Sequence, residues 1–204
     1  MANVIVYYIH PGHQHSHTNL AMQKQLQRVD DIETVDLYSE YPRFNINIDK
    51  EQQRLLNHDV IVFQFPVFWY SGPSLLKEWI DLVLEYGFAY GADGNSVKGK
   101  KMMLAVTAGG PEQAYTADGY QNHALRTFLT PFQQTATLCK MKFLPPYVLY
   151  NSLNTENTDR IEQHARGYVQ LVESLRDDRF NVQAADQLDT FGAEDLPQLT
   201  GATQ

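Results

Sequence analysis

Three short stretches carry side chains whose types and spacing could do chemistry. The first, His10-Pro11-Gly12-His13-Gln14-His15-Ser16-His17-Thr18-Asn19, alternates imidazoles with hydroxyls and leads into a helical pattern. A helix start exposes unpaired amides and a partial positive charge, so Ser16 and Thr18 there would add donors for a phosphate. The spacing is neither a GxGxxG turn nor a Walker loop, and hydroxyls ahead of a helix also serve as plain caps. Neutral imidazoles bind zinc or copper too, but the acids and cysteine that would complete a dedicated site are not nearby, so no metal is expected. The second stretch, Pro66-Val67-Phe68-Trp69-Tyr70-Ser71, places three adjacent aromatics ahead of Gly72-Pro73. Neighbours in sequence cannot all face one core, so some can offer flat faces and backbone amides to a planar heterocycle; core and interface filling is the alternative. The third, Thr107-Ala108-Gly109-Gly110, puts two glycines where backbone must approach a ligand closely or where a turn needs positive φ. Tyr115 follows five residues after Gly110 and can reach back to the same pocket; an exposed loop tyrosine is the alternative.

Each of these stretches follows an apolar run of strand length. The runs are Val4 to Ile9, Thr34 to Leu37, Val60 to Phe65, Met102 to Thr107 and Phe143 to Tyr150. Helical patterns lie near Asn19 to Gln27, Asp49 to Asn57, Ser74 to Glu85, Gln121 to Phe132 and Thr158 to Leu175. The third of these has Leu75, Leu76, Trp79, Ile80, Val83 and Leu84 on one stripe behind Pro73. The second has Asp49 as N-cap with Gln52 at capping-box spacing. The last keeps Ile161, Ala165, Tyr168, Val169, Val172 and Leu175 in a 3.6-residue register. The alternation predicts an α/β fold, a doubly wound five-stranded parallel sheet with helices on both faces. In such a sheet ligands bind beyond the carboxyl ends of the strands at the point where strand order reverses. The loops after Ile9, Phe65 and Thr107 converge there, which argues for one site more strongly than any loop alone.

Composition narrows the function classes. The chain of 204 residues, 43% hydrophobic and 12% aromatic, can bury one sizeable core and lacks the signature of disorder. Twenty-four acids against sixteen bases give a net charge of −8 with no basic patch, which argues against nucleic acid. Val4 to Ile9 lacks the flanks of a signal segment, no stretch has membrane-span length, and Cys139 is the only cysteine. A cytoplasmic protein is expected. Periodicity ends after Arg176, and residues 177–204 carry six acids against one arginine, a net of −5. The expectation is a domain over 1–176 followed by an acidic C-terminal extension over 177–204, solvated or loosely docked, with a partner-binding arm as the alternative.

Further motifs carry a resemblance: Leu37-Tyr38 with Tyr41-Pro42 and Phe44-Asn45-Ile46, Leu75-Leu76-Lys77, Trp79-Ile80-Asp81, Gly87-Phe88-Ala89-Tyr90-Gly91 and Gly99-Lys100. With the three loops, the chain from about Val4 to Tyr168 resembles the flavodoxin-like NAD(P)H:quinone oxidoreductase family, and within it the ancillary flavoproteins of bacterial glutathione-gated potassium efflux systems. The resemblance implies the strand order 2-1-3-4-5, and that His10, Ser16, His17, Thr18 and Asn19 hold a flavin phosphate and ribityl chain. Pro66, Val67, Phe68, Trp69 and Tyr70 would line the isoalloxazine ring, and Thr107, Ala108, Gly109 and Gly110 its other edge. Tyr115 and Gly109 are the catalytic candidates, the tyrosine to orient an acceptor or balance charge and the glycine for close backbone contact. Gln121 stands where the mammalian-type enzymes carry the histidine that partners this tyrosine, with His123 two residues on, and Ala108 replaces a frequent threonine. The short segment from Tyr38 to Ile48 implies FMN, with FAD the alternative, and NADPH or NADH as reductant. The implied reaction is ping-pong hydride transfer to a quinone-type acceptor. Also implied are a homodimer, in which Phe88 and Tyr90 cover the partner's flavin or pack within their own subunit, and, as the alternative function, a subunit that activates a potassium efflux transporter. That partner would place the protein peripherally at the inner membrane face. A one-electron carrier is a third role.

Overall fold

In the computed structural model, which describes residues 1–12, 16–154 and 158–201, the apolar runs lie side by side as a parallel sheet. Its strands are β1 (Val4–Tyr8), β2 (Ile32–Asp36), β3 (Val60–Pro66), β4 (Lys101–Thr107), β5 (Lys142–Phe143) and β6 (Tyr147–Leu149). The order is β2-β1-β3-β4-β5, with β6 also beside β4, the order that the family resemblance implies. The central strands are buried on both faces. Ile5, Tyr7, Ile61, Phe63, Met102 and Leu104 enter one core layer; Val4, Val6, Val60, Val62, Met103 and Ala105 enter the other. This is why they read as continuous apolar runs rather than alternating ones.

The helices are α1 (His17–Leu26), α2 (Leu37–Glu40), α3 (Ile48–Asn57), α4 (Ser74–Val83), α5 (Leu125–Phe128), α6 (Thr130–Leu138), α7 (Thr158–Arg176), α8 (Val182–Ala185) and α9 (Leu196–Thr200) among the described residues. α4 buries Leu75, Leu76, Trp79 and Val83 in the first layer, so its amphipathic stripe does face the sheet. α1 and α7 meet over the other layer through Met22, Leu26, Tyr168 and Leu171. Among the described residues no helix is long and apolar enough to cross a membrane.

A buried carboxylate ties the first layer together. Glu51 of α3 is 0% exposed. Its Oε2 accepts from Tyr7 Oη on β1 at 2.8 Å and from Trp79 Nε1 on α4 at 3.0 Å. Its Oε1 accepts from Tyr41 Oη at 2.6 Å and from Arg54 at 2.5 Å. Burial and the Glu51 charge together hold the Tyr7 phenol well above its ordinary range, so it stays a donor.

Local chemistry moves several boundaries. β2 starts and stops earlier than expected, because Asp36 Oδ1 accepts from the Ser39 amide at 3.1 Å and caps α2. The N-cap of α3 is Asn47, whose Oδ1 accepts from the Lys50 amide at 3.0 Å; Asp49 sits in the first turn, where its charge still suits the helix dipole. The helix expected over Gln121 to Phe132 becomes α5 and α6, since Pro131 can begin a helix but not continue one. The strand expected over Phe143 to Tyr150 is interrupted at Pro145-Pro146, which have no amide hydrogen for the ladder.

The largest correction concerns the end of the chain. The core does not stop at Arg176, and residues 177–201 are not a loosely docked extension. Phe180, Ala185, Phe191, Leu196 and Leu199 are buried in the second layer. Here the acidic residues face outward while apolar residues at irregular spacing point in, so a net charge of one sign says nothing about the buried side. α7 is shaped for this contact at Gly167. A Cβ there would come within 2.7 Å of Tyr147 Oη, 2.9 Å of Leu196 and 3.0 Å of Ala193. Elsewhere in a helix interior, glycine to alanine stabilises. Gly167→Ala is therefore expected to destabilise this protein by about 1–3 kcal/mol, measured by urea denaturation, because overpacking outweighs helix propensity; unchanged or raised stability would contradict the close docking.

Candidate functional site

The first wall of the site is the start of α1. Ser16 is the N-cap residue but makes no side-chain capping bond, so it leaves the first-turn amides without that partner. Thr18 and Asn19 are 3% and 2% exposed. With His10, Ser16 and His17 they line a cavity of about 370 Å³ whose opposite wall is Pro66, Val67 and Phe68 and whose floor is Thr107 and Gly109. The structure thus brings together most of the residues predicted for a cofactor; His13, Gln14 and His15 lie outside the described residues. His10 Nδ1 accepts from the Gly12 amide at 3.1 Å, which makes Nε2 the protonated nitrogen and a donor. Phe68 meets the His10 imidazole edge-on at 5.9 Å.

Beneath the cavity runs a polar layer that crosses otherwise apolar strands. Gln64, 0% exposed in the middle of β3, donates to the Asn19 carbonyl at 2.9 Å. Asn19 Nδ2 in turn donates to Thr107 Oγ1 at 2.9 Å. This relay joins β3, α1 and the end of β4, and so fixes the helix start against the glycine loop. Among the described residues Tyr8 Oη, Thr18 Oγ1, Asn19 Oδ1 and Gln64 Oε1 are buried without a partner. Each such group costs about 1–3 kcal/mol unless something answers it. Of these residues, Thr18 and Asn19 line the cavity. One hydroxyl and one amide oxygen at a helix start suit an anion with an attached polyol, which is the chemistry of a flavin mononucleotide tail. Gln64 lines neither cavity but supports the start of α1 from beneath; the loops did not suggest it, and its signal was a lone amide inside an apolar run.

The aromatic stretch is a tight two-residue turn. Phe68 and Ser71 exchange backbone hydrogen bonds at 2.9 and 3.0 Å, and Trp69 and Tyr70 at the tip have φ of +47° and +64°. Both central residues of such a turn need positive φ, which normally selects Asn-Gly. Trp69 is 93% exposed, while Tyr70 leans on Phe128 at 4.8 Å. Both line a second cavity of about 410 Å³ with Tyr115, Tyr120 and Gln121, and this cavity shares Val67, Gly109 and Leu153 with the first. The stretch therefore divides: Pro66 and Phe68 face the first cavity, Trp69 and Tyr70 the second, and Val67 both.

Close approach, not turn geometry, accounts for the two glycines. Neither has positive φ. A Cβ on Gly110 would meet Tyr120 Oη at 2.8 Å, and one on Gly109 would meet Leu153 at 3.1 Å. Ala108 is fully buried, its amide bound to the Leu149 carbonyl at 2.9 Å, and it lines neither cavity. Tyr115 lines the second cavity only, and burial raises its phenol above the ordinary value, so it stays protonated near neutrality. His123 packs edge-on against Phe128 at 5.8 Å and lines neither cavity. Ser152 and Leu153, which close the first cavity from the segment after β6, carried no signal in the sequence.

Residues 2–172 match the model of a protein family described as having a flavodoxin-like fold. The chain belongs to that family. A Bacillus subtilis protein named as an uncharacterised NAD(P)H oxidoreductase is 44% identical to this flavodoxin-like chain over 155 residues, which are 76% of the chain and 89% of the relative. An ancillary protein of a glutathione-regulated potassium efflux system from Cronobacter sakazakii is 42% identical over 167 residues, 82% of this chain and 90% of that one. Among solved structures, general stress protein 14 of Treponema denticola in complex with FMN superposes with a TM-score of 0.80 at 34% identity, covering 85% of this chain and 99% of that one. An NADPH-quinone reductase of P. pentosaceus gives 0.71 at 25% identity, covering 83% and 97%.

The turn geometry yields a test. Replacing Trp69 by Asn and Tyr70 by Gly keeps the turn and removes its strain, so the double variant is expected to be more stable by about 1–2 kcal/mol in urea denaturation. The same variant loses the aromatic wall of the second cavity. Lower stability would show that the aromatics are held there by packing rather than against backbone preference.

Proposed function

We propose that this chain is an NAD(P)H oxidoreductase that binds FMN and reduces a quinone-type acceptor. The observation that carries this is the pair of unpartnered buried groups, Thr18 Oγ1 and Asn19 Oδ1, at the start of α1 beside a cavity walled by Val67, Phe68 and Gly109. The names of the flavodoxin-like relatives support it. Bound FMN would supply the redox chemistry, taking hydride from NADPH or NADH and passing it to the acceptor. The chain's own residues bind and orient. Ser16, Thr18, His10 and the α1 amides hold phosphate, and Asn19 accepts from a ribityl hydroxyl. Val67 and Phe68 cover the ring, while Gly109 and Gly110 let backbone come against its edge, where amide dipoles offset developing negative charge without reorganising. Tyr115, protonated and facing the outer cavity, orients the acceptor oxygen; with Gln121 in place of a histidine beside it, no second side-chain proton donor is assigned.

Purified protein is expected to take up FMN, to lose flavin absorbance with NADPH and to regain it with benzoquinone. Thr18→Val should weaken FMN binding roughly 10- to 100-fold, the worth of a hydrogen bond to a charged group, as read by flavin fluorescence titration. A chain that takes up neither FMN nor FAD would reject the proposal.

A regulatory role beside the enzymatic one is favoured by the 42% identical relative named for a potassium efflux system. The aromatics around the two cavities suit a homodimer. Phe68, Trp69, Tyr70 and Tyr120 are 42%, 93%, 48% and 68% exposed, and apolar surface of this kind marks association sites. Phe88 and Tyr90 pack against their own core and are half-buried. Light scattering should give twice the chain mass, with Trp69→Asp returning the protein to monomer. A monomeric wild type would reject the dimer, and failure to co-purify with an efflux transporter encoded beside the gene would count against the regulatory role.

A further inference from the structure

The C-terminal segment lies beyond the family match, which ends at residue 172, yet it reaches the acceptor side of the site. Phe191 pairs in parallel with Tyr147. Its carbonyl accepts from the Val148 amide at 2.8 Å and its amide donates to the Pro146 carbonyl at 3.0 Å, so the segment extends the sheet edge beside β6. On its other side Arg126 donates to the Asp189 carbonyl at 3.1 Å. Between these anchors, Thr190 Oγ1 is 3.3 Å from Tyr150 Oη, and either hydroxyl can donate.

Tyr150 is the first residue after β6, and its ring packs on Tyr115 with centroids 5.7 Å apart. The next residues lie on the glycine loop. The Asn151 amide donates to the Gly110 carbonyl at 2.7 Å and the Ser152 amide to the Ala108 carbonyl at 3.0 Å. Arg160 holds the same stretch by donating to the carbonyls of Tyr150 and Asn151. Farther along, the segment stands off from the loop across a cavity of about 310 Å³, with Ala193 and Glu194 on one side and Pro111 to Gln113 on the other. The contact between segment and loop therefore runs through Tyr150 rather than across that cleft.

We propose that Thr190 is a positioning residue for the acceptor pocket: it fixes the Tyr150 hydroxyl, and through the Tyr150 ring it holds Tyr115 against the second cavity. Without that bond the ring is free to turn toward the 310 Å³ cavity it also lines, and Tyr115 loses one of its packing partners. Neither Thr190 nor Tyr150 lines the phosphate-side cavity, so acceptor binding changes and cofactor binding does not. The kinetic part of this inference rests on the flavin oxidoreductase assignment; the structural part does not.

The test uses the full chain with Thr190→Val, Thr190→Ser and Tyr150→Phe. With FMN bound, Thr190→Val and Tyr150→Phe are each expected to raise the KM for benzoquinone roughly 3- to 10-fold, the worth of one hydrogen bond, with little change in kcat. FMN affinity and the rate of flavin reduction by NADPH stay at wild-type values, Thr190→Ser restores KM, and the Thr190→Val/Tyr150→Phe pair is no worse than either alone. Independently of any flavin, hydrogen exchange of Thr190→Val is expected to speed up at Glu112 to Tyr115 and at Asn151. Exchange that rises only within residues 186–200, or a wild-type KM in Thr190→Val beside a raised one in Tyr150→Phe, overturns the inference. A wild-type chain that takes up no flavin rejects the oxidoreductase assignment and leaves the exchange experiment to decide this one.

Discussion

The Glu51 carboxylate is the constraint on which the first core layer depends. A charge without solvent is tolerated only when its lone pairs are filled, and removing one partner of such a set costs more than the set contributes. Here the donors come from β1, the segment after β2, α3 and α4. Four separately formed elements therefore have one arrangement in which none is left unsatisfied. The consequence reaches the site: α4 begins at Ser74, four residues after Tyr70, so its position sets where the strained aromatic turn emerges. Arg54, which also meets Glu33 on β2 at 3.0 Å, extends the hold to the sheet edge.

The opposite arrangement prevails beneath the first cavity. The Gln64, Asn19 and Thr107 relay satisfies some groups and leaves others open, where the Glu51 cluster leaves none of its acceptor oxygens without a donor. Of the groups left open, Thr18 Oγ1 and Asn19 Oδ1 belong to residues that line the cavity, and leaving them unpaired costs the folded chain stability. The left-handed tip at Trp69 and Tyr70 is a second such cost at the same site.

Much of the fold was legible because its causes are local and repeated. Central strands buried on both faces must be apolar throughout, so β1, β3 and β4 stand out as runs, and α4 and α7 show the stripe that a sheet demands. Boundaries were less legible where one side chain decides them. Asn47 rather than Asp49 caps α3 because its oxygen reaches the Lys50 amide, and Pro131 divides a helix that periodicity would carry through. The C-terminal segment was misjudged for a different reason. Its buried residues, Phe180, Ala185, Phe191, Leu196 and Leu199, follow no period because short turns and helices of four or five residues interrupt them.

The order of residue types by itself determined a parallel sheet with crossover helices, since alternating strand and helix periods leave few other classes, whereas the strand order came with the family resemblance. It also placed the hydroxyls at a helix start and the glycines at a strand end. What only the tertiary structure decided is how those residues share the work. Trp69 and Tyr70 turn away from Phe68 because two positive φ angles reverse the chain, Ala108 is buried away from both cavities, and Leu153 enters the site from an element distant in sequence. Distances between side chains far apart along the chain are set by packing, which no local pattern encodes.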